Sequence, residues 1–536
     1  VFSIASFLRL DYLRQLYGVE PQKGGSLKWP GNTEMYKYPY NTGRRRQTPR
    51  NDEQFKSFLQ RENIMQDPDN TLKKWRYGWP GENSPFKSVQ KYNAPLMVPE
   101  ARVLHVCENW LTRHFRCMGD SVIRDDMEYI RQGLNMSTSC GYPWSTQGYT
   151  NKRKLFDQNP EEVQRAYAQL RSELLKGNTA DLYTLAAKRE LRKVSKIEKD
   201  DFRTFTASSW RNTALGVALF GDMTSKFYDS NLDTWSFVGG STFHGIWAKA
   251  MTKLMKHPNA FEGDFSNYDA ILHRQWFEML SRVFFSFFEE KEKTPENWIL
   301  VKNYFEMIVA AYVICPNGDI FQKAQGNPSG SSLTIVVNTM IHYCLFVYAW
   351  IELGGPDDYE YFHDNVEALL CGDDSLWTCS DAVVEWFNIE TCAAVWNTLG
   401  LTMKPENTKR GQMVWRSHAV FTLSFLSHTT IQIGDGTYLP VPDPEKVLST
   451  MLYNSRCSRH LRWSYLKACA LRVSSWCDKG LREIFHKYIL YLLRERKDEL
   501  LSPGAKDDPT WAEVDRCYLT DSDLYGLYTM GEGQAL

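Results

Sequence analysis

Glu367-Ala368-Leu369-Leu370-Cys371-Gly372-Asp373-Asp374-Ser375-Leu376-Trp377-Thr378 is the stretch from which the fold is read. An apolar run enters a Gly-Asp-Asp corner, and a second, mostly apolar run leaves it. That is the pattern of a β-hairpin, with Gly supplying the backbone conformation of the bend. Asp-Asp is also ordinary turn chemistry, so the motif alone fits a solvent-facing corner. Two adjacent carboxylates at an apolar tip repel each other, however, and a divalent cation shared with a third acid relieves that repulsion. The sequence upstream separates the two readings.

Phe261-Glu262-Gly263-Asp264 reads as a short strand ending at Asp264. Asp269 follows five residues later, where a helix begins; Asp269 and Ser266 also suit plain helix caps. Beyond a helical stretch from Trp276 to Phe288, Gly326-Asn327-Pro328-Ser329-Gly330-Ser331-Ser332-Leu333-Thr334 forms a Gly/Ser loop. It feeds a long apolar helix through Ile335 to Leu345. Thr334 and Asn338 lie one turn apart and share a face, although local hydrogen bonding can account for each. Lys188 to Arg203 holds seven basic and four acidic side chains. In a helix Lys188, Arg192 and Lys196 fall on one face; in a strand the charge density remains. Either suits a polyphosphate anion, with a salt-bridged exposed helix as the alternative. Thr138-Ser139-Cys140-Gly141-Tyr142-Pro143-Trp144 is a small-residue loop that admits close backbone approach and offers rings for stacking.

The rest of the chain bounds the reading. With 536 residues it exceeds one compact core and predicts several subdomains. The formal net charge is −1, so nucleic-acid affinity requires a local basic surface. Twelve cysteines without a C-x-x-C pair argue for free thiols in a reducing compartment, and against structural zinc or a disulfide scaffold. No apolar run approaches a membrane span by this reading, Met307 to Cys315 being interrupted too soon. A start at Val1 fits trimming or release from a longer precursor. Arg44-Arg45-Arg46 and Arg50 make a basic loop, either a solvated surface or a phosphate contact. Helices are expected over Val103 to Arg116, Glu161 to Leu175 and Ala382 to Leu399, the last capped by Gly400. Phe421 to Ser427 and Thr430 to Ile433 predict a second hairpin turning near Gly434-Asp435-Gly436. Glu445 to Arg496 is helical in pattern, and the tail after Ser502 reads as irregular surface structure.

Taken in order, these pieces resemble the palm motifs of viral RNA-dependent RNA polymerases. Lys188-Arg189-Glu190-Leu191-Arg192 through Arg203-Thr204-Phe205-Thr206-Ala207 is similar to the basic fingers motif, and Thr138 to Pro143 to the loop where template arrives. The likeness is to positive-strand RNA viruses of the picornavirus-like supergroup, closest to the astrovirus and potyvirus-like branch. Arg203 to Ala207 followed by Val238-Gly239-Gly240-Ser241-Thr242-Phe243 supports that branch, and Gly326 to Gly330 leans toward astroviruses. Those relatives carry Asp where this chain has Val337.

The resemblance implies an α/β (α+β) right-hand fold. Its expected divisions are fingers with an N-terminal fingertip region over 1–221, a first palm segment over 222–271 and a fingers insertion over 272–325. A second palm segment over 326–430 and a helical thumb with tail over 431–536 complete it. Two Mg²⁺ ions, with Mn²⁺ able to substitute, are expected on Asp264, Asp373 and Asp374. Lys188, Arg192, Lys196 and Arg203 are expected to hold the triphosphate, with Ser329 beside the nucleotide. Asp269, Thr334 and Asn338 are expected to read the ribose 2′-hydroxyl. Thr138, Ser139, Gly141, Tyr142, Pro143 and Gly330 are expected along the template. The family's general-acid lysine falls nearest Lys409, offset by one residue, so Lys404 stays open. Phe425-Leu426-Ser427-His428 is similar to the primer-grip hairpin, with Ser427 where the family often has a basic residue.

Implied partners are RNA template, nascent strand and nucleoside triphosphates. A genome-linked protein primer and other viral replication proteins are compatible with this, and no transmembrane segment is expected. The implied setting is the host-cell cytoplasm, in membrane-associated replication complexes, after release from a viral polyprotein. A reverse transcriptase would share the metal acids but place a bulky aromatic near the sugar, where this chain has Asp269. A non-catalytic RNA-binding module would need neither the three acids nor the basic row.

Overall fold

In a computed structural model of the chain, Val366–Cys371 and Asp374–Cys379 pair antiparallel with Cys371 opposite Asp374. Gly372 and Asp373 alone make the turn. Gly372 has φ +66°, which a residue without Cβ adopts at little cost. The structure describes residues 27–32, 50–78, 80–81, 84–188, 190–316, 318–404, 409–412, 421–434, 437–454, 460–505 and 508–531. The basic loop at Arg44 to Arg46 lies outside them.

The hairpin belongs to a four-stranded antiparallel sheet in the order 366–371, 374–379, 259–263, 409–412. The two hairpin strands are apolar runs because both of their faces are covered. On one face Ala368, Leu370, Trp377 and Phe261 join the largest core, against Phe346 and Trp396. On the other, Leu369, Leu376 and Ala260 pack with Trp247, Met251 and Leu254 of the Ile246–Leu254 helix.

The Thr334–Glu352 helix runs through the main core, with every residue from Val336 to Ile351 buried. A helix apolar all round needs such an environment. By length and composition it is also the one helix among the described residues able to cross a membrane. The expectation that no apolar run reaches that length is corrected here: burial inside the protein accounts for its composition.

A five-stranded sheet joins distant segments in the order 27–32, 319–323, 312–314, 182–187, 204–207, with one parallel pair between 182–187 and 312–314. A second core closes the chain on itself. Phe55, Phe58 and Leu59 of the Glu53–Arg61 helix pack against Phe485, Tyr488 and Ile489 of Lys479–Glu495. Phe55 meets Tyr488 edge-on with ring centroids 5.0 Å apart. Asp52 caps its helix through the Phe55 N–H and accepts the Ser464 hydroxyl at 2.6 Å.

Of the two readings of Lys188 to Arg203, helix or strand, the structure takes the strand for Leu191–Lys193, paired with Trp75–Tyr77, and Val194–Ile197 is a single helical turn. Three sequence expectations need correction. The helix expected from Ala382 starts only at Ile389, where Asn388 and Thr391 form a capping box. The second hairpin turns at Leu426-Ser427, between Phe421–Phe425 and His428–Ile433; Gly434 begins the next turn, into Thr437–Pro442. The tail is not all irregular. Asp521–Thr529 is a helix whose Leu524 and Tyr528 pack with Trp476 and Leu439.

Phe485→Ala should open a cavity between the N-terminal and C-terminal helices and cost about 3–5 kcal/mol of stability. Chemical denaturation followed by tryptophan fluorescence checks this. A loss under about 1 kcal/mol would mean the terminal helices do not share a core.

Candidate active site

Sheet register brings the acids together. Ser375 pairs with Gly263, so Asp264 leaves its strand at the same sheet end as the Asp373-Asp374 corner. The hairpin tip is held from below by the buried helix. Thr339 Oγ1 accepts the Gly372 N–H at 2.9 Å, and the His342 Nδ1–H donates to the Gly372 carbonyl at 2.9 Å. Burial pushes the His342 imidazole down to about 4, so it serves as a neutral donor.

The corner is electrostatically loaded. Burial first, then the charges of Asp373 and Asp264, pushes the Asp374 carboxyl up from 3.8 to about 7. Burial, with Asp264 and Asp269 adding, also raises Asp373. Asp264 is engaged by Lys404, whose ammonium donates to Oδ2 at 2.7 Å and whose N–H donates to the Asp264 carbonyl at 2.8 Å. Lys409 instead pairs with buried Glu262 at 3.1 Å. Among the described residues no three His, Cys, Asp or Glu side chains are already gathered as a metal site. The donor set nevertheless fits a hard divalent cation, being all carboxylate and destabilised by its own like charge.

Asp269 is fixed from two sides. The Lys91 ammonium lies 3.1 and 3.3 Å from its two oxygens, and the Asn327 N–H donates to its carbonyl at 2.6 Å. The Asn327 amide also donates to Asn338 Oδ1 at 2.9 Å, which joins Asn338 to the same group. Thr334 is satisfied locally, donating to the Pro328 and Ser331 carbonyls. Ser329 Oγ accepts the Thr206 N–H at 3.1 Å, and the Gly330 carbonyl accepts from Ser208 at 2.8 Å. A Cβ at Gly330 would lie 2.1 Å from the Thr206 carbonyl oxygen, so only glycine permits this approach.

The basic residues divide. Arg203 and Lys188 lie within electrostatic reach of the acids: Arg203 opposes the rise at Asp374, and Asp269 partly offsets the burial that lowers Lys188. Arg192 and Lys196 are turned to Asp201, at 3.3 and 3.0 Å. Glu190 sits 3.6 Å from both Arg192 and Arg203. In the Thr138–Pro143 loop, Lys152 donates to Thr138 Oγ1 at 2.5 Å and to the Ser139 carbonyl at 3.0 Å. Gly141 and Tyr142-Pro143 lie beside it, where a Cβ at Gly141 would meet the Ser208 carbonyl at 2.7 Å. Sequence reasoning missed Lys91, Asn327, Thr339 and His342. Only the Gly326-Asn327-Pro328 context of Asn327 gave any signal.

An antiparallel sheet whose end presents three acids, with cations and a Gly/Ser loop nearby, has the donor groups that cation-assisted phosphoryl chemistry uses. A family model described as viral RNA-dependent RNA polymerase matches residues 48–493. The genome polyprotein of Watermelon mosaic virus II (isolate USA) is 26% identical over 452 residues, covering 83% of this chain and 41% of that protein. The genome polyprotein of Zucchini yellow mosaic virus (strain Singapore) is 27% identical over 413 residues, covering 75% and 12%. That of Soybean mosaic virus (strain N) is 26% identical over 411 residues, again 75% and 12%. The chain belongs to the viral RNA-dependent RNA polymerases. It spans less than half the length of these curated relatives.

The raised Asp374 gives a signed pH prediction. The folded state holds this proton more tightly than the unfolded chain, so the stability it contributes is full below about pH 4 and is lost as pH rises toward 7. Asp374→Asn should flatten thermal stability across that window and raise the melting temperature at pH 8 in EDTA. Equal pH slopes for parent and variant would remove Asp374 from the strained corner.

Proposed function

We propose that this chain performs template-directed RNA synthesis for a positive-strand RNA virus, by nucleotidyl transfer at the Asp264, Asp373 and Asp374 corner. The observation that carries the reading is that corner: three acids from two separated segments at one sheet end, inside a chain of this family. Asp264, Asp373 and Asp374 would hold two divalent cations, Mg²⁺ with Mn²⁺ as substitute, which neutralise charge on the attacking and departing oxygens of phosphoryl transfer.

The protein's own groups orient and select. Arg203 and Lys188, within electrostatic reach of the acids, are the best fitted to a triphosphate. Arg192 and Lys196, tied to Asp201, act as the outer part of that surface. Asp269, with Asn338 behind it, accepts a hydrogen bond from the ribose 2′-hydroxyl, while Thr334 shapes the turn that presents Ser329. Ser329 and Gly330 flank nucleotide and template, and Thr138 to Pro143 line the template's approach. Lys404 is the better general-acid candidate than Lys409, because it already contacts Asp264. The proposed partners are RNA template, nascent strand and nucleoside triphosphates. Release from a polyprotein agrees with the relatives' being genome polyproteins, and the proposed setting is membrane-associated complexes in the host cytoplasm.

A right hand accommodates these parts. The strands at 182–187 and 204–207 share a sheet with 312–314 and 319–323, which supports fingers over 1–221 rejoined by 272–325. The four-stranded sheet draws on both palm segments, 222–271 and 326–430. Helices Pro444–Leu452, Leu461–Ser474 and Lys479–Glu495 support a helical thumb over 431–536.

Primer extension on RNA, with the same primer on DNA template as comparison, tests the function. Asp373→Asn should lower extension by about 100-fold or more, the scale of losing a preorganised electrostatic contact, while RNA binding survives. Near-parental extension would defeat the carboxylate assignment.

The two lysines are separable by the pH dependence of single-nucleotide addition. Lys404→Leu should lower the rate by about 100-fold, within the range of general acid catalysis, and remove the alkaline limb of the profile. Lys409→Leu should leave that limb in place. The reverse pattern would restore Lys409 as the acid.

A further inference from the structure

Lys91 lies in the expected N-terminal fingers segment and was not singled out from the sequence, yet it reaches Asp269 of the site. The Gln90–Asn93 turn crosses to the loop before Ser329, where Gln325 Nε2 donates to the Ala94 carbonyl at 3.1 Å. From that turn the Lys91 ammonium meets both oxygens of Asp269. Tyr92 lies directly beside it: the Lys91 ammonium is 5.1 Å and the buried Lys323 ammonium 5.7 Å from its ring centroid. Lys323 in turn donates to the carbonyls of Ile308, Val309 and Gly326, fixing the loop on which Asn327 stands.

The ion pair is not an ordinary surface pair. Lys91 keeps 18% and Asp269 26% of side-chain exposure, so the pair is shielded from bulk water yet open to a ligand. Burial opposes the charge on Lys91, but Tyr92 and Asp269 outweigh it and raise the ammonium above its ordinary value. A carboxylate bound through both oxygens to one cation cannot rotate freely. It also stays an acceptor, which a hydroxyl donor requires. Asn327 adds a second restraint through the Asp269 carbonyl and carries the network on to Asn338.

We propose that Lys91 is the positioning residue for sugar selection, its ammonium holding the Asp269 carboxylate as an oriented acceptor for the ribose 2′-hydroxyl. This rests on the reading of Asp269 as the group that meets the sugar. A site built around that hydroxyl discriminates against the deoxy analogue because its own polar groups are then left unpaired. Loss of Lys91 should weaken that discrimination without removing the acids or the triphosphate cations.

The test is single-nucleotide addition by the full chain on one primed RNA template, with ATP and dATP as matched substrates. Lys91→Met should narrow the ATP to dATP ratio of kcat/KM by about 10-fold or more, by losing ATP addition preferentially. Lys91→Arg should recover part of the ratio, since it restores the cation. Asp269→Ala should narrow the ratio too, and Lys91→Met combined with Asp269→Ala should narrow it no further than Asp269→Ala alone. Lys87→Met, which removes an exposed lysine paired with Asp200 near the same turn, should leave the ratio where it was. If Lys91→Met does not fold by thermal melting, Lys91→Gln is read in its place with the same expectation. A narrowed ratio in Asp269→Ala with an unchanged ratio in the Lys91 variants overturns the role of Lys91 alone. An unchanged ratio in Asp269→Ala overturns the sugar-reading assignment itself, and the proposal with it.

Discussion

Like charge confined at the end of an apolar sheet is the constraint on which the rest of this structure depends. Asp373 and Asp374 follow each other at a hairpin tip, and Asp264 shares their sheet end. Nothing apolar stabilises that arrangement. It persists because the surrounding fold over-determines the backbone. The strands behind it are covered on both faces, and the turn is bonded to Thr339 and His342 of a helix that is buried throughout. An unstable pair of charges is thereby held by a stable framework.

Around that corner, cations are graded by their partners. Lys404 engages Asp264, and Lys91 engages Asp269. Arg203 is 59% exposed and, among the described residues, approaches Glu190 at 3.6 Å, which leaves it available to an anion. Arg192 and Lys196 meet Asp201 instead. The segment carrying Lys91 is held at the site by the Gln325 to Ala94 hydrogen bond and by the Lys91–Asp269 pair.

Much of this was legible in the linear sequence, for a physical reason in each case. Apolar runs flanking Gly372-Asp373-Asp374 predict a hairpin, and that is how they fold, with both faces covered. The Ser329 loop and its apolar helix follow from Gly and Ser before a long run without charge. Local pattern was ambiguous elsewhere. The charges between Lys188 and Arg203 fit a helix or a strand, and pairing of Leu191–Lys193 with Trp75–Tyr77 decided for the strand. The second hairpin was misjudged because Gly434 is a better turn former than Leu426-Ser427, and both are turns in a three-stranded sheet.

The sequence by itself determined the order of the motifs, the periodicities of the main helices and strands, and the residue types available to the chemistry. Those depend on neighbours a few positions away, and local backbone preference encodes them. Only the tertiary structure decided which side chains meet. Lys91 is separated from Asp269 by 178 positions, Lys404 from Asp264 by 140, and Asp52 from Ser464 by 412. No local rule selects among the many lysines that could have neutralised Asp264 or Asp269. The choice is made by packing, which fixes the distance and direction of each side chain once the cores have closed.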